Sequence, residues 1–200
     1  MLVGPAHLWE MKRAFQIDFV RGRGLAPFHR FLDVGCGTLR GGLPIIDYLE
    51  RGHYYGIDVR AEALDEARKE LAEAGLAHKQ PVLVLGGDFD AMNLGAAFDV
   101  VWAFSMLFHL SDTILPGALR FVRRHLADGG TFYANVNAVS DRPPGEWRGF
   151  PVMSHDVAFY AEQARLGDLT VRDLGALRDL GHVSGAVDQD DQRMLEFRAA

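Results

Sequence analysis

Leu32-Asp33-Val34-Gly35-Cys36-Gly37-Thr38-Leu39-Arg40-Gly41-Gly42 sets a glycine-rich turn directly behind the short apolar run Phe31 to Val34. A run of this length that ends in glycines and gives way to an apolar-periodic segment is the pattern of a buried parallel strand feeding a helix. That helix reads as Leu43 to Leu49, with Pro44 near its start and Gly52 past its end. The cycle then repeats: strand Tyr54 to Ile57, helix Ala61 to Ala74 stopped by Gly75, strand Val82 to Leu85, strand Asp99 to Ala103, helix Thr113 to Leu126, a Gly129-Gly130 turn and strand Thr131 to Asn135. Such alternation predicts right-handed βαβ crossovers and an α/β fold, a doubly wound, mainly parallel sheet with helices on both faces.

On either side of this core the pattern changes. From Pro5 to Val20 apolar residues at Leu8, Met11, Phe15 and Phe19 keep helical spacing, and Gly22 and Gly24 supply a stop. Asp141 to Pro151 gathers Pro143, Pro144, Gly145 and Pro151 around Trp147 and Phe150, and reads as irregular. A helix from His155 to Arg165, a β-rich stretch from Leu169 to Leu174 and a closing strand from Met194 to Arg198 follow. Two final strands without a long helix between them predict an antiparallel hairpin at one sheet edge.

Composition narrows the function classes. With 48% apolar and 24% charged residues the chain is of ordinary globular type, which excludes disordered and coiled-coil readings. Acidic residues outnumber basic ones 27 to 21, a net charge of −6 that disfavours a dedicated nucleic-acid binder. The longest nearly apolar stretch, Val100 to Phe108, is broken by Ser105 and falls far short of the roughly 20 residues that span a bilayer. Pro5, His7 and Glu10 interrupt any signal-like apolar region, so the expectation is a cytoplasmic chain with no membrane segment. The single cysteine, Cys36, excludes an intramolecular disulfide and a cysteine-based zinc cluster, and no metal is expected.

The chemistry concentrates at strand ends. In an open α/β sheet ligands bind outside the carboxyl ends of the strands, where the glycine turn lies. Asp58 ends the second strand, where a carboxylate can accept hydrogen bonds from both hydroxyls of a ribose. Asp88, in Gly86-Gly87-Asp88-Phe89, ends the third, placed to accept from an adenine amino group while Phe89 covers a ring face. A single acid at a strand end is more often a cap or turn residue; three at successive strands outline a nucleoside pocket. A nicotinamide dinucleotide is disfavoured, because the third glycine of G-x-G-x-x-G falls on Arg40 and because Asp33 suits an ammonium better than a pyrophosphate.

With LDVGCGT at the first strand, Asp58 in YYGIDVR, GDF at the third and FDVVWAFSMLFHL at the fourth, the chain resembles the class I S-adenosylmethionine-dependent methyltransferases over Phe31 to Asn135. The resemblance implies a Rossmann-like seven-stranded sheet of order 3-2-1-4-5-7-6, strand 7 antiparallel, and S-adenosylmethionine as cofactor, released as S-adenosylhomocysteine. It implies that Gly35, Cys36 and Gly37 border the methionine part, Asp33 its amino group, Asp58 and Val59 the ribose side, Asp88 and Phe89 the adenine, and that Phe104 lies beside the cofactor. Family members often carry a glycine where Leu39 stands, which leaves Arg40 either on the methionine carboxylate or paired with a surface acid. One methyltransferase domain over residues 1–200 is expected: a helical extension (1–24), a cofactor core (31–135), and an acceptor loop, helix and strands (136–200).

The acceptor is less constrained. The Asn/Asp-Pro-Pro-Tyr/Phe motif of amino-methylating nucleic-acid enzymes is absent, and the favoured partner is a small-molecule hydroxyl, amine or carboxyl. An RNA methyltransferase and a non-catalytic S-adenosylmethionine-binding partner subunit remain alternatives, and a homodimer stays open. His109, just after the fourth strand, is the leading general base because an imidazole titrates near neutrality; a structural histidine is nearly as well supported. His155, Tyr133 and Tyr160 are weaker candidates, and Glu146 is a candidate partner for an amine. Trp147, Phe150 and Tyr160 are candidate lining for the acceptor, and the N-terminal helix, which carries Trp9 and Gln16, is expected to border the cofactor or acceptor pocket, simple packing on the sheet being the alternative.

Overall fold

The computed structural model describes residues 8–138 and 144–200. The expected helix start at Pro5 and the first part of the Asp141 to Pro151 loop lie outside these residues. Elements run α1 (Trp9–Gly22), β1 (Phe31–Val34), α2 (Gly42–Tyr48), β2 (Tyr54–Asp58), α3 (Ala61–Glu73), β3 (Val82–Leu85), β4 (Phe98–Ala103) and α4 (Leu115–His125). They continue with β5 (Leu126–Val136), β6 (Gly145–Trp147), β7 (Phe150–Val152), α5 (Val157–Leu166), β8 (Leu169–Ala176), α6 (Val187–Asp190) and β9 (Arg193–Ala199).

Seven strands form one sheet in the order β3-β2-β1-β4-β5-β9-β8. Of these, β9 alone runs antiparallel, inserted between β5 and β8. Both the α/β class and the edge hairpin are therefore as the alternation and the resemblance imply. Strand residues alternate between two cores. Leu32, Val101, Ala103, Phe132 and Ala134 face α4 and α5, while Phe31, Val100, Trp102, Phe104 and Tyr133 face α1, α2 and α3. This two-sided burial is why the strands read as continuous apolar runs rather than alternating ones.

Two local expectations are corrected. β5 starts at Leu126 and takes in Gly129 and Gly130, with a register shift against β4 between Phe98 and Val100. A Cβ on Gly130 would stand 2.8 Å from the Phe98 carbonyl oxygen, so Gly130 serves a crowded bulge, while Gly129 beside it takes a left-handed backbone (φ +75°) in open space. The stretch read as irregular contains the β6–β7 hairpin, closed by Arg148 (φ +52°) and Gly149 (φ +82°). Two positive φ values make this a type I′ connection, whose twist matches that of the strands it joins.

Candidate active site

After β1 the chain crosses to one face of the sheet and after β4 to the other, which opens a crevice at the carboxyl ends of these adjacent strands. Gly35 (φ +82°) starts the turn into it, and the Gly35 and Cys36 amides both donate to the Ile57 carbonyl at 2.8 and 3.0 Å. A Cβ on Gly35 would lie 2.6 Å from Met106 Cγ, so the turn after β4 presses on this loop. Leu39 holds the left-handed conformation (φ +60°) that a glycine would take without strain, while its side chain is fully buried. Leucine there trades a local backbone cost of order 1–3 kcal/mol for core packing. Cys36 is buried against Gly56, and burial, with Asp33 and Asp58 close by, raises its thiol pKa far from reactivity.

Asp58 ends β2 as expected, whereas Asp33 lies within β1 and Asp88 lies three residues beyond the end of β3. Asp33 is buried and accepts from the Tyr54 hydroxyl at 2.6 Å; burial raises its pKa to about 7 against the opposing pull of that bond. Asp58 Oδ2 accepts from the Gly37 amide (2.9 Å), and Oδ1 accepts from the Arg60 amide (2.9 Å) and Arg60 Nε (3.1 Å). The Arg60 guanidinium carbon also lies 5.9 Å from the Phe150 ring centroid, joining Asp58 to the hairpin. Asp88 is exposed and caps its own turn by accepting from the Ala91 amide (3.1 Å). Phe89 turns inward against Phe121 instead of presenting an open ring face. Val59 is exposed, and a Cβ on Gly87 would overlap it, so the two line the surface between the ends of β2 and β3.

A cationic group faces the glycine loop. Arg40 Nε and Nη1 are buried without a hydrogen-bond partner, as is Thr38 Oγ1. Lys12, buried on α1, donates to Gln189 Oε1 at 2.8 Å; burial and then Arg40 lower its pKa to about 8. Beside Lys12, His182 is packed edge-on to Phe15 and 5.7 Å from the Phe104 ring. Its Nδ1 donates to Asp190 at 2.9 Å, and Nε2 is buried without a partner. Phe104 itself stacks on Trp102 at 5.6 Å and 4°.

His109 sits in a one-turn 3-10 helix (Leu107–His109) under the hairpin. Its Nδ1 donates to the Pro151 carbonyl at 2.8 Å. A carbonyl can only accept, so Nδ1 carries the proton and Nε2 the lone pair. Burial lowers the imidazole pKa, which keeps it neutral at pH 7. The ring stacks on Trp147 (5.6 Å) and approaches Phe150 (6.2 Å), so three of the expected acceptor-side residues meet. Trp9 stands partly exposed at the head of α1. Tyr160 is not brought to the hairpin: it is buried in the core with Ala164 and Leu169. His155 is tied to Asp112 (2.8 Å) and stacked on Phe159, Tyr133 lies in the core edge-on to Phe19, and Glu146 is exposed on β6.

Sequence reasoning does not single out Lys12, His182 or Asp190. For Lys12 a signal exists, since it shares a helical stripe with Phe15, Gln16 and Phe19, three residues of the buried face. His182 and Asp190 carry no such mark, because their segment between β8 and β9 lacks periodicity.

A family model described as a methyltransferase domain matches residues 32–132, just over half of the chain. A ubiquinone biosynthesis O-methyltransferase of Hahella chejuensis is 30% identical over 127 residues, 61% of this chain; the chain spans about half (49%) of that relative. Among solved structures, the sinefungin complex of the glycopeptide N-methyltransferase MtfA is similar at a TM-score of 0.74 and 17% identity, with 100% of each chain covered. An S-adenosylmethionine-dependent methyltransferase from Clostridium acetobutylicum ATCC 824 reaches 0.73 at 14% identity, covering 96% of this chain and 92% of the other. With this fold and this family match, the chain belongs to the methyltransferase-domain family.

Proposed function

We propose that the chain transfers a methyl group from S-adenosylmethionine to a hydroxyl, amine or carboxyl group of a small molecule seated between the carboxyl end of β4 and the β6–β7 hairpin. The observation that carries this reading is the setting of His109: a neutral imidazole with its Nε2 lone pair unclaimed by Pro151, against an aromatic wall of Trp147 and Phe150.

The residues present suit the cofactor. The unpartnered N–H groups of Arg40, with Thr38 and Lys12 close by, match the carboxylate of a methionine tail. Asp33, poised near neutrality, suits its ammonium, and Gly35, Cys36 and Gly37 leave the backbone open to approach. Asp58 suits a ribose diol provided that the Arg60 side chain yields its place. Val59 and Gly87 offer a face for adenine, with Asp88 at its amino edge and Phe89 supporting from beneath, while Phe104 closes the methionine side. When bound, S-adenosylmethionine supplies an electrophilic methyl on a sulfonium that is also the leaving group. The chain's own residues then orient the acceptor, exclude water and move one proton. His109 Nε2 takes that proton from a hydroxyl or ammonium, whereas a carboxylate acceptor needs no base. Trp147, Phe150 and Trp9 line the acceptor side, and Tyr160 supports it only from within the core.

Small-molecule acceptors agree with the names of similar proteins, a ubiquinone biosynthesis O-methyltransferase, a glycopeptide N-methyltransferase and a magnesium protoporphyrin IX methyltransferase. A net charge of −6 weighs against a polyanionic one. Among the described residues no helix is long and apolar enough to cross a membrane, and the reading is completed by a cytoplasmic location and a single catalytic domain over residues 1–200. Incubation with methyl-labelled S-adenosylmethionine and fractionated metabolites tests it. Label in a small molecule is the expected result; label in RNA, or tight cofactor binding without any labelled product, overturns it.

A further inference from the structure

A buried, one-directional chain of amides crosses the ligand side of the sheet. The Ser105 amide donates to Asn135 Oδ1 (2.6 Å), Asn135 Nδ2 to Gln192 Oε1 (2.6 Å), Gln192 Nε2 to Asn137 Oδ1 (2.9 Å), and Asn137 Nδ2 to the Met153 carbonyl (3.2 Å). All three side chains are buried, and each turns its oxygen toward Ser105 and its nitrogen toward Met153. Aligned amide dipoles in a low-dielectric interior strengthen one another, and none of the three can turn over without breaking both of its bonds.

The two ends of this chain fall at functional places. Ser105 holds a left-handed backbone (φ +56°) at the carboxyl end of β4, and its turn lays Met106 against Gly35 in the cofactor loop. Met153 leaves β7, and its own amide donates to the Phe108 carbonyl at 2.8 Å, beside His109. A ligand seated at Gly35 shares its space with Met106, and a shift of Met106 moves the neighbouring Ser105 amide that anchors the relay. Hairpin displacement acts at the other end through the Met153 carbonyl. The intervening side chains come from β5, from the residue after it and from the residue before β9, so two rigid strands hold them in place.

Resting on the cofactor reading above, we propose that Asn135, Gln192 and Asn137 are positioning residues that couple cofactor occupancy at the glycine loop to closure of the β6–β7 hairpin. The relay makes one packing of the Phe104–Met106 turn compatible with one seating of the hairpin. Cofactor binding then favours a closed acceptor wall before the acceptor arrives, and an open hairpin weakens cofactor binding by the same factor, since coupling between sites is reciprocal.

Hydrogen exchange of the full chain, read over hairpin residues 145–152 with and without S-adenosylhomocysteine, tests the coupling. In the wild type the ligand should slow hairpin exchange at least fivefold. Asn137→Ala cuts the final link and should bring that ratio close to one while weakening S-adenosylhomocysteine binding by a matching factor. Gln192→Met removes the middle of the relay at similar volume and should do the same if Asn137→Ala folds poorly. General destabilisation speeds exchange with and without ligand alike, so the ratio isolates coupling from stability. A wild-type ratio maintained in either folded variant, or a wild-type hairpin indifferent to bound ligand, overturns the proposal. If S-adenosylhomocysteine does not bind the wild type at all, the cofactor reading fails and the coupling with it.

Discussion

Asp58 is bound on one side by the Gly37 amide and on the other by Arg60, so its removal is felt twice. Asp58→Ala should weaken S-adenosylhomocysteine at least tenfold in calorimetry, since a charge-assisted hydrogen bond is worth about 1.5–3 kcal/mol. The same change strips the Gly37 amide of its buried acceptor, and the melting temperature should fall by several degrees as well. Unchanged affinity would remove Asp58 from the cofactor site. His109→Ala should lower kcat by about 10²–10⁴, the range for a positioned general base, with cofactor affinity nearly intact. The wild-type acidic limb of the rate profile should lie below the ordinary histidine range, because burial depresses the imidazole pKa, and the mutant should lack it. Turnover near that of the wild type would make His109 a hairpin anchor through its Pro151 bond and nothing more. Asp58 is legible in the sequence because it ends its strand, while Asp33, within β1, and Asp88, three residues past β3, are marked by the glycines beside them. Lys12 and His182 are not, because Lys12 reaches its place through a helical stripe whose depth is set in three dimensions and His182 through a segment without period.

Elements show the same divide. The βα alternation from Phe31 to Asn135 can be read directly, since short apolar runs alternate with helical-period segments and glycines close several of them. The β6–β7 hairpin escapes because Pro143, Pro144 and Pro151 argue against a strand, while Arg148 takes positive φ without the asparagine or aspartate that usually marks a type I′ turn. In α1 the reading finds the helix and the buried Phe15 and Phe19 but not the two polar residues, Lys12 and Gln16, buried beside them. Gln16 Oε1 accepts from Trp102 Nε1 at 2.9 Å, deep under the sheet, and a Cβ on Gly41 would overlap its side chain. Gln16→Ala should therefore lower stability by about 1–3 kcal/mol by orphaning a buried indole N–H. For a chain of this length that corresponds to a drop of about 2–4 °C in Tm per kcal/mol. Thermal melts of a Trp102→Phe background decide the cause, because there the loss should shrink; an equal loss would assign it to packing alone.

For the molecule as a whole, the near-neutral pKa of Asp33 makes stability depend on pH. Its folded value of about 7 lies above the ordinary 3.8, so the native state holds the proton more tightly than the unfolded one. The stabilisation is full below about pH 4 and is lost progressively as pH rises through about 7. Asp33→Asn should flatten this contribution, and its Tm relative to the wild type should climb between pH 5 and pH 8. S-adenosylmethionine affinity should rise over the same interval in the wild type, because its ammonium is drawn to the ionised carboxylate; a flat profile would separate Asp33 from the ligand. Lys12 reaches Gln189 across 177 positions of sequence, and β9 slots between β5 and β8 although it is the last strand made. At translation rates of about 5–20 residues per second, a ribosome needs roughly 10–40 s to pass from the first of these partners to the second. From the point where β5 is made until β9 follows, the nascent chain has its glycine loop and Asp58 but not the antiparallel strand beside β5, and Lys12 lacks Gln189. Until β9 arrives the β5 edge presents unpaired backbone groups to any other chain, so that edge is the part of the nascent sheet most open to wrong pairing.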